Sequence, residues 1–382
     1  MEIEIKPIVD PDYDELSTFY TKVLRYKSEK LDEDYVPFTP DYVKYVINID
    51  FSNKELFLGI YSENKLIATI GGTMVPHSFQ NTEIKVSAIT CYAVDPDFPL
   101  SPDLKLKIFQ TLIDKIKDFG ADLIWVAIIS DINAEEMKLF KDLNFVRVNK
   151  NVESLVKLLG HEAVDILREK KKMNIVLAQL AKMMAGMEDP PPIEGAIRDA
   201  TPADYSQIIG LFNSYATELP LAQIWTPESL QQYIEVTSLV NSLDYSALKA
   251  EFPDTPFGLH VTVWERQGKI IAALLYRVTF VRFKNGDAPF GFWDYLAFAP
   301  GLEITDKKAF LVTMYNKLYH KAIIVNIFLP YYEYKAIDKA GFMSQRRNTP
   351  LYMFALTENG KQVLAQEKLL KFYLPTFTDF AI

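Results

Sequence analysis

The feature that most constrains this chain is an internal repeat, in which the second half follows the pattern of the first in the same order. Each of three segment pairs is a weak match alone, but three pairs in one order indicate a tandem duplication. The pairs are residues 1–18 with 193–210, 57–68 with 261–272, and 140–145 with 337–342. A length of 382 residues also exceeds what one hydrophobic core usually supports. We therefore predict two domains of similar fold.

A change in composition indicates a connector between the repeats. Residues 152–187 are rich in Leu, Lys, Ala, Gln and Met and contain no proline, which predicts helix. The run Asp-Pro-Pro-Pro at 189–192 ends this stretch and is typical of a linker. We predict an N-terminal domain over residues 1–150, a connector over 151–192 and a C-terminal domain over 193–382.

Two features of the connector have structural interpretations. The basic run at 168–172 is interpreted as the solvated face of a helix. A cluster of methionines is interpreted as packing between the domains rather than as a ligand groove. Its members are Met173, Met183, Met184 and Met187.

Each repeat is predicted to contain the same order of strands and helices. In the first repeat, residues 84–94 are apolar and β-branched, as in a buried strand. Ser101, Pro102 and Asp103 then favour a helix start, and Gly120 favours its end. In each repeat the order is strand, helices, hairpin, strand, helix, strand, helix, strand. This order predicts the α/β fold class, with a mixed sheet of largely antiparallel strands in each domain.

The bulk composition argues against several functions. The net charge is −9, so we predict no nucleic-acid partner, because phosphate binding needs a concentrated basic surface. Cys91 is the only cysteine, which rules out an intramolecular disulfide and suits a reducing cytoplasm. No apolar run approaches the roughly 20 residues of a membrane span. The four histidines lack metal-ligand spacing, so we predict no metal site.

Three segments carry family motifs. Residues 133–148 read Asn-Ala-Glu-Glu-Met-Lys-Leu-Phe-Lys-Asp-Leu-Asn-Phe-Val-Arg-Val. Residues 92–96 (Tyr-Ala-Val-Asp-Pro) and 296–300 (Leu-Ala-Phe-Ala-Pro) read as equivalent strand ends. The first segment resembles the late helix and following strand of the GNAT (GCN5-related N-acetyltransferase) superfamily, and the other two resemble its fourth strand. The resemblance implies two GNAT-like domains in tandem.

The resemblance also implies an acyl-CoA whose pyrophosphate binds backbone N–H groups at a helix N-terminus. The loop there needs glycine, so that the backbone can approach the phosphates closely. In the first repeat this loop has no glycine, Pro102 has no N–H, Ser101 would cap the helix and Asp103 would repel phosphate. Lys105 and Lys107 would attract an anion by their side chains, or lie on a solvated helix face.

The second repeat keeps more positive charge at the same place. Gly301 follows the strand that ends at Phe298, and Lys307 and Lys308 lie in the first helical turn. An anion there would relieve the repulsion between these lysines and the helix dipole. We therefore predict that Phe298, Gly301, Lys307 and Lys308 bind acetyl-CoA or another acyl-CoA. The alternative is that both lysines are simply exposed.

The reaction implied by the resemblance is direct attack of an amine on a thioester. A carboxylate on the fourth strand acts as base, and a tyrosine on the late helix acts as acid. The first repeat has Thr90, Cys91 and Phe140 at these positions, and Cys91 is interpreted as a buried structural thiol. The second repeat has Asp294 at the base position and Tyr334 near the acid position, and we predict both as catalytic. Apolar neighbours would raise the pKa of Asp294. A structural ion pair of Asp294 with Lys or Arg is the alternative.

Two functions remain open from the sequence. The favoured one is an acyl-CoA-dependent N-acyltransferase with a small-molecule or peptide amine as acceptor. The other is a catalytically inactive GNAT-like protein that binds a metabolite or a protein partner, which the lost glycine loop and tyrosine favour. The apolar run at 372–382 is predicted to dock on a core. In myristoyltransferases the terminal carboxylate takes part in the chemistry, and here this is an analogy.

Overall fold

The structure of the chain is a computed structural model. The described residues are 2–31, 35–50, 54–127, 134–171, 174–329, 333–344, 349–366 and 372–373. The first-half strands are β1 (Ile3–Pro7), β2 (Phe57–Ser62), β3 (Lys65–Gly72), β4 (Val75–Phe79), β5 (Thr82–Val94), β6 (Leu123–Ala127) and β7 (Val146–Leu158). The helices up to the linker are α1 (Tyr13–Leu31), α2 (Pro40–Asp50), α3 (Pro102–Asp118), α4 (Ala134–Asp142), α5 (His161–Lys171) and α6 (Ile175–Met184).

The second half follows the linker with the same kinds of element. Its strands are β8 (Ala196–Asp199), β9 (Leu221–Gln223), β10 (Gly258–Arg266), β11 (Lys269–Phe283), β12 (Gly286–Phe298), β13 (Ile324–Leu329), β14 (Met343–Ser344), β15 (Thr349–Ala355) and β16 (Phe372–Tyr373). Its helices are α7 (Tyr205–Glu218), α8 (Pro227–Thr237), α9 (Ser246–Glu251), α10 (Ile304–Lys317), α11 (Tyr334–Lys339) and α12 (Glu358–Leu364). The expected mixed α/β architecture is confirmed.

The internal repeat is confirmed in the register of the strands. In the first half Ala68 of β3 lies opposite Val94 of β5. In the second half Ala272 of β11 lies opposite Phe298 of β12, with both members 204 positions further along the chain. The hairpin ends keep the same spacing, because 79 pairs with 82 and 283 pairs with 286. This constant offset lets positions of the two halves be compared one by one.

The two halves exchange their last strands. Strand β7 pairs antiparallel with β13 of the second half, and β15 pairs antiparallel with β6 of the first half. The main strand order is β1-β2-β3-β5-β6-β15-β7-β13-β12-β11-β10-β8. The predicted helix over 152–187 is therefore wrong at its start, because residues 152–158 complete a buried sheet. The boundary predicted at residue 150 falls inside β7, and the domain division stays a prediction.

The seam between the halves is also closed by helices. Side chains of α1 and α2 share one buried cluster with Val240, Tyr245 and Leu248 of the second half. Within the described ranges, no helix is both long and apolar enough to cross a membrane. The same ranges contain no group of three or more His, Cys, Asp or Glu side chains arranged to hold a metal ion. Most of the run at 372–382 lies outside the described residues.

Candidate functional site

The candidate site of each half lies where a long strand separates from its parallel neighbour. Strand β12 pairs with β13 only over 290–293, and β5 pairs with β6 only over 86–88. Both long strands then continue and carry a β-bulge. In β12 the register steps from Trp293 to Tyr295, so Asp294 is the extra residue. In β5 the step from Thr90 to Ala93 places two residues opposite one. A bulge bends the strand and redirects its side chains.

Asp294, the predicted base, is buried in a network of hydrogen bonds. Its carboxylate accepts from Arg277 Nε at 3.2 Å and from the Tyr233 hydroxyl at 2.8 Å. Arg277 is 1% exposed and also donates from Nη1 to the Tyr42 hydroxyl at 3.0 Å. Because Tyr42 belongs to α2, this network joins the two halves. The geometry is that of the structural ion pair, and the catalytic role of Asp294 stays a prediction.

Tyr233 holds Asp294 as a hydrogen-bond donor. Burial raises the pKa of Tyr233 well above its ordinary value, and the nearby Asp294 charge raises it further. The phenol therefore keeps its proton at neutral pH. The Asp294 carboxylate accepts from Arg277 and Tyr233, so it would have to give up these contacts to take a proton from a substrate.

A second network joins two of the predicted cofactor residues. Lys307 Nζ donates to Glu333 Oε1 at 2.7 Å, and the Tyr215 hydroxyl donates to the same oxygen at 2.9 Å. The backbone N–H of Phe298 donates in turn to the Tyr215 hydroxyl at 3.1 Å. Glu333 has a left-handed φ of 57° and lies at the N-terminus of α11. The sheet, α7, α10 and the α11 entry thus meet at one internal carboxylate.

The other predicted residues lie around this network or outside it. Lys308 Nζ pairs with Glu188 at 2.6 Å. Gly301 is exposed with φ of 77°, and a Cβ added at this position would have open space around it to a distance of 4 Å. Tyr334, the predicted acid, is 40% exposed in the first turn of α11, next to Glu333. Phe298, Lys307 and the neighbour of Tyr334 are thus brought together, while Asp294 belongs to the separate Arg277 network.

The N-termini of the two equivalent helices, α3 and α10, have different caps. In α3, Ser101 Oγ accepts from the Leu104 N–H at 3.3 Å and Pro102 occupies the first turn, as the sequence predicts. In α10, Glu303 is the cap residue and makes no side-chain cap hydrogen bond. Asp306 follows in the first turn of α10. Neither helix offers the uncapped, glycine-lined backbone that phosphate prefers.

The first-half bulge is held by neutral groups. Cys91 has a left-handed φ of 54°, which is strained for a residue with a Cβ. Thr69 Oγ1 donates to the Cys91 carbonyl at 2.8 Å, and the Tyr20 hydroxyl lies 2.9 Å from Thr69 Oγ1. Cys91 is 1% exposed, as expected of a structural thiol. Thr90 is also buried, and this bulge carries no carboxylate in the position of Asp294.

An acidic group follows this bulge at the end of β5. Asp95 accepts from Lys22, from Lys65 and from the Asp97 N–H. Burial alone would raise the pKa of Asp95, but the hydrogen bonds from Lys22, Asp97 and Lys65 outweigh it and lower the pKa. Asp95 therefore stays charged and anchors α1 to the sheet.

The comparisons with known proteins rest on structure. No protein-family model matches the sequence, and no curated protein matches it. A crystal structure of Saccharomyces cerevisiae N-myristoyltransferase with bound myristoyl-CoA matches with a TM-score of 0.67 and 14% identity. That match covers 92% of this chain and 82% of the other. A probable N-acyltransferase from Enterococcus faecalis V583 matches with a TM-score of 0.53 and 10% identity, over 93% and 72% of the two chains. This chain is a tandem GNAT-fold protein.

The sequence analysis did not identify the side chains that form hydrogen bonds and ion pairs with the predicted site residues or extend these networks. The missed residues are Tyr42, Tyr215, Tyr233, Arg277 and Glu333. One of them had a usable signal, because Arg277 is a lone charge within the apolar run of β11 and a buried cation requires a partner. The tyrosines carry no local signal, since their positions suit any amphipathic helix.

Proposed function

We propose that this tandem GNAT-fold chain is an acyl-CoA-dependent N-acyltransferase. The acceptor is a small-molecule or peptide amine, and the acyl donor is acetyl-CoA or a longer acyl-CoA. The amine nitrogen attacks the thioester carbonyl carbon, a C–N bond forms and the C–S bond breaks. A base takes the proton lost by the nitrogen, and the departing CoA thiolate takes up a proton from an acid. Cys91 is buried and is the only cysteine of the sequence, which suits a cytoplasmic enzyme.

The observation that carries this proposal is the bulged strand that parts from its parallel neighbour in each half. The proposal takes the region beyond the last paired residues of these strands, next to the bulge, as the place where a linear thioester arm lies. Support comes from the yeast N-myristoyltransferase structure, which matches 92% of this chain and holds myristoyl-CoA. The identity of 14% supports the fold and leaves the acyl length to experiment.

The proposed residue roles require that internal partners be released. Asp294 acts as base only if Arg277 and Tyr233 shift away from it when substrate binds. Lys307 contacts a CoA phosphate only if it leaves Glu333, and Lys308 only if it leaves Glu188. Phe298 and Gly301 would line the cofactor beside them, and Tyr334 is accessible enough to act as acid. Each role is therefore tied to a contact that a ligand must break.

The same contacts favour a second function. A GNAT-fold protein that binds a partner or a metabolite without catalysis has no need of a free base or free lysines. Here Asp294 and both lysines have carboxylate or guanidinium partners of their own. The second candidate is thus a binding or regulatory protein that keeps the fold.

A ligand titration and a turnover assay separate the two functions. CoA, acetyl-CoA and myristoyl-CoA are each added at about 1 mM, and the melting temperature is recorded, because a ligand bound only by the folded state raises it. Release of CoA thiol is then followed with a panel of amines and peptides. The enzyme proposal predicts a shift for at least one acyl-CoA, with turnover. A shift without turnover for any acceptor supports the binding protein. No shift with any of the three ligands removes the acyl-CoA enzyme and leaves a protein that binds another metabolite or a protein partner.

Matched variants locate the working site. Asp294→Asn should abolish turnover and keep the thermal shift if Asp294 is the base. Lys307→Ala should weaken the shift, whereas Lys335→Ala, which removes an exposed lysine on α11, should leave it unchanged. Full turnover in Asp294→Asn would show that Asp294 is not the base, and the first-half bulge would then be the next candidate site.

A further inference from the structure

Helix α6 buries small side chains and exposes large apolar ones, which is the reverse of an ordinary amphipathic helix. It meets the protein through small residues, with Ala178 buried and Ala185 buried just past its end. Its large apolar side chains face outwards, each between 51% and 82% exposed. These are Ile175, Val176, Leu177, Leu180, Met183 and Met184. The methionines interpreted from sequence as packing between domains are therefore exposed at 183 and 184.

The exposed side chains form one face. At 100° per residue, Val176, Leu180, Met183 and Met184 fall within about 100° of arc, and Ala178 lies on the opposite side. A contiguous apolar patch of this kind marks an interaction site. Because the described parts of the chain leave this face exposed, its partner is external to them.

The charge around α6 identifies the chemistry of that partner. Residues 168–187 contain five cations and a single carboxylate, Glu169, in a chain whose net charge is −9. The cations are Arg168, Lys170, Lys171, Lys172 and Lys182. Lys170 pairs with Glu251 and Lys182 pairs with Asp165, and the charges of the segment's own residues sum to a positive value. Four of the five cations precede α6 in the sequence, and the dipole of α6 adds positive potential at its N-terminus.

We propose that α6 is a membrane-surface anchor that inserts its apolar face into a bilayer rich in anionic lipid. An exposed apolar helix face beside a basic cluster is the arrangement that binds such an interface. The helix lies in the plane of the headgroups, with the exposed Arg168 near the phosphates. The inference goes beyond the acyltransferase proposal and does not depend on it, because it rests on exposure and charge alone.

A second copy of the chain fits this face less well. A two-fold dimer through α6 would place the same basic segment of both copies at one interface. The like charges would repel, whereas anionic headgroups would lower the energy of the same cations. Self-association is therefore the competing outcome that the test must detect.

The test is vesicle co-sedimentation of the full chain. Vesicles of phosphatidylcholine alone are compared with vesicles containing phosphatidylserine, at low and at physiological salt. The wild type should bind the anionic vesicles and lose affinity as salt rises. The double variant Val176→Glu with Leu180→Glu should bind at least tenfold more weakly. Val9→Glu, which alters an exposed valine on another surface, should bind as the wild type does.

Further variants keep the outcome decisive. Arg168→Gln should weaken binding about fivefold, the effect of one cation near an anionic surface. If the double variant does not fold, Met183→Glu replaces it, because that side chain is 82% exposed. The proposal is overturned if the wild type binds no anionic vesicle at low salt, or if the double variant binds like the wild type. Light scattering that shows a dimer, lost in the double variant and without vesicle binding, would overturn it in favour of self-association.

Discussion

The two halves share one strand register and fill it with different buried polar groups. Arg277 and Asp294 of the second half occupy the positions that Thr73 and Thr90 hold in the first. Thr73 Oγ1 accepts a local hydrogen bond from the Ala88 N–H at 3.0 Å. Arg277 instead forms an ion pair and extends to a tyrosine of the other half. The same backbone thus carries a neutral, local arrangement in one half and a charged arrangement across the seam in the other.

This difference bears directly on function. A charged pair fixed by several hydrogen bonds resists rearrangement, because each partner left alone would be a buried charge. In the first-half bulge the described hydrogen bonds come from hydroxyl groups such as Thr69, and the position of Asp294 is occupied by Thr90, which is not a base. If the second half is the working site, ligand binding must supply the energy to separate its pairs. If it is not, the pairs are structural and the variants below should change stability without changing ligand binding.

The largest effect is expected when the charged pair is broken on one side. Arg277→Thr, which introduces the first-half residue, leaves Asp294 buried without its cation and should cost about 3–5 kcal/mol in the free energy of unfolding. Adding Asp294→Thr should recover a large part of this loss, since both charges are then gone. Urea unfolding measures both. Thr73→Val in the first half is the matched control and should cost only about 1 kcal/mol.

A double variant no more stable than Arg277→Thr would show that the pair is not an isolated unit. In that case the hydrogen bonds to Tyr42 and Tyr233 would carry most of the energy, and the contrast between the halves would lie in the tyrosines.

The next effect concerns His77, a buried residue of β4 whose counterpart in the second half is Val281. His77 Nδ1 lies 3.0 Å from the Val75 carbonyl, and Nε2 has no hydrogen-bond partner among the described residues. Burial lowers the pKa of His77 to about 4, against a small opposing effect of the Val75 carbonyl. The unfolded chain, with an ordinary histidine, therefore binds more protons between about pH 6.5 and 4.

Stability should fall as the pH drops through that window. The sign follows from linkage: a lowered histidine pKa in the folded state makes protonation favour unfolding, so the loss begins near pH 6.5 and is complete near pH 4. The loss through this one group is up to about 3 kcal/mol. The free energy of unfolding of His77→Val should change less with pH over the same window. Urea unfolding at several pH values tests this, and parallel curves for both proteins would refute it. Asp95, whose pKa is lowered from its ordinary value, affects the pH dependence of stability only below about pH 4.

Much of this architecture was predictable, and the limits have physical causes. Apolar periodicity and turn residues locate β5, β12 and the helices after them, because those signals are local. The exchange of β7 and β15 is not local, since a strand pattern does not specify its neighbour. The partner of Asp294 is 17 positions away, and Arg277 meets a tyrosine 235 positions away. The sequence identified candidate residues such as Asp294. Which side chains they pair with depends on contacts between distant positions, which only the three-dimensional structure gives.

A smaller effect separates the two predicted phosphate-binding lysines. Lys307 and Glu333 are 16% and 11% exposed, whereas Lys308 and Glu188 are 33% and 45% exposed. Lys307→Met should therefore cost about 1–2 kcal/mol in the free energy of unfolding, because it leaves the partly buried Glu333 carboxylate with Tyr215 as its remaining side-chain donor among the described residues. Lys308→Met should cost less than about 0.5 kcal/mol, as for other exposed pairs. Equal costs would mean that burial does not distinguish the two lysines.

The smallest effects are expected from substitutions at the cap residues of the two equivalent helices, α3 and α10. Ser101→Ala removes the side-chain acceptor from the first turn of α3 and should cost about 1 kcal/mol. Glu303→Ser supplies such an acceptor to α10, where Glu303 makes no cap hydrogen bond, and should stabilise the fold by about 0.5 kcal/mol. Urea unfolding gives both values, and titration with acetyl-CoA gives their functional meaning. If an anion binds at the α10 N-terminus, Glu303→Gln, which removes the negative charge without supplying a short side-chain cap, should strengthen acetyl-CoA binding. The Ser101 variant should leave that binding unchanged, and the opposite pattern would assign the ligand to the first half.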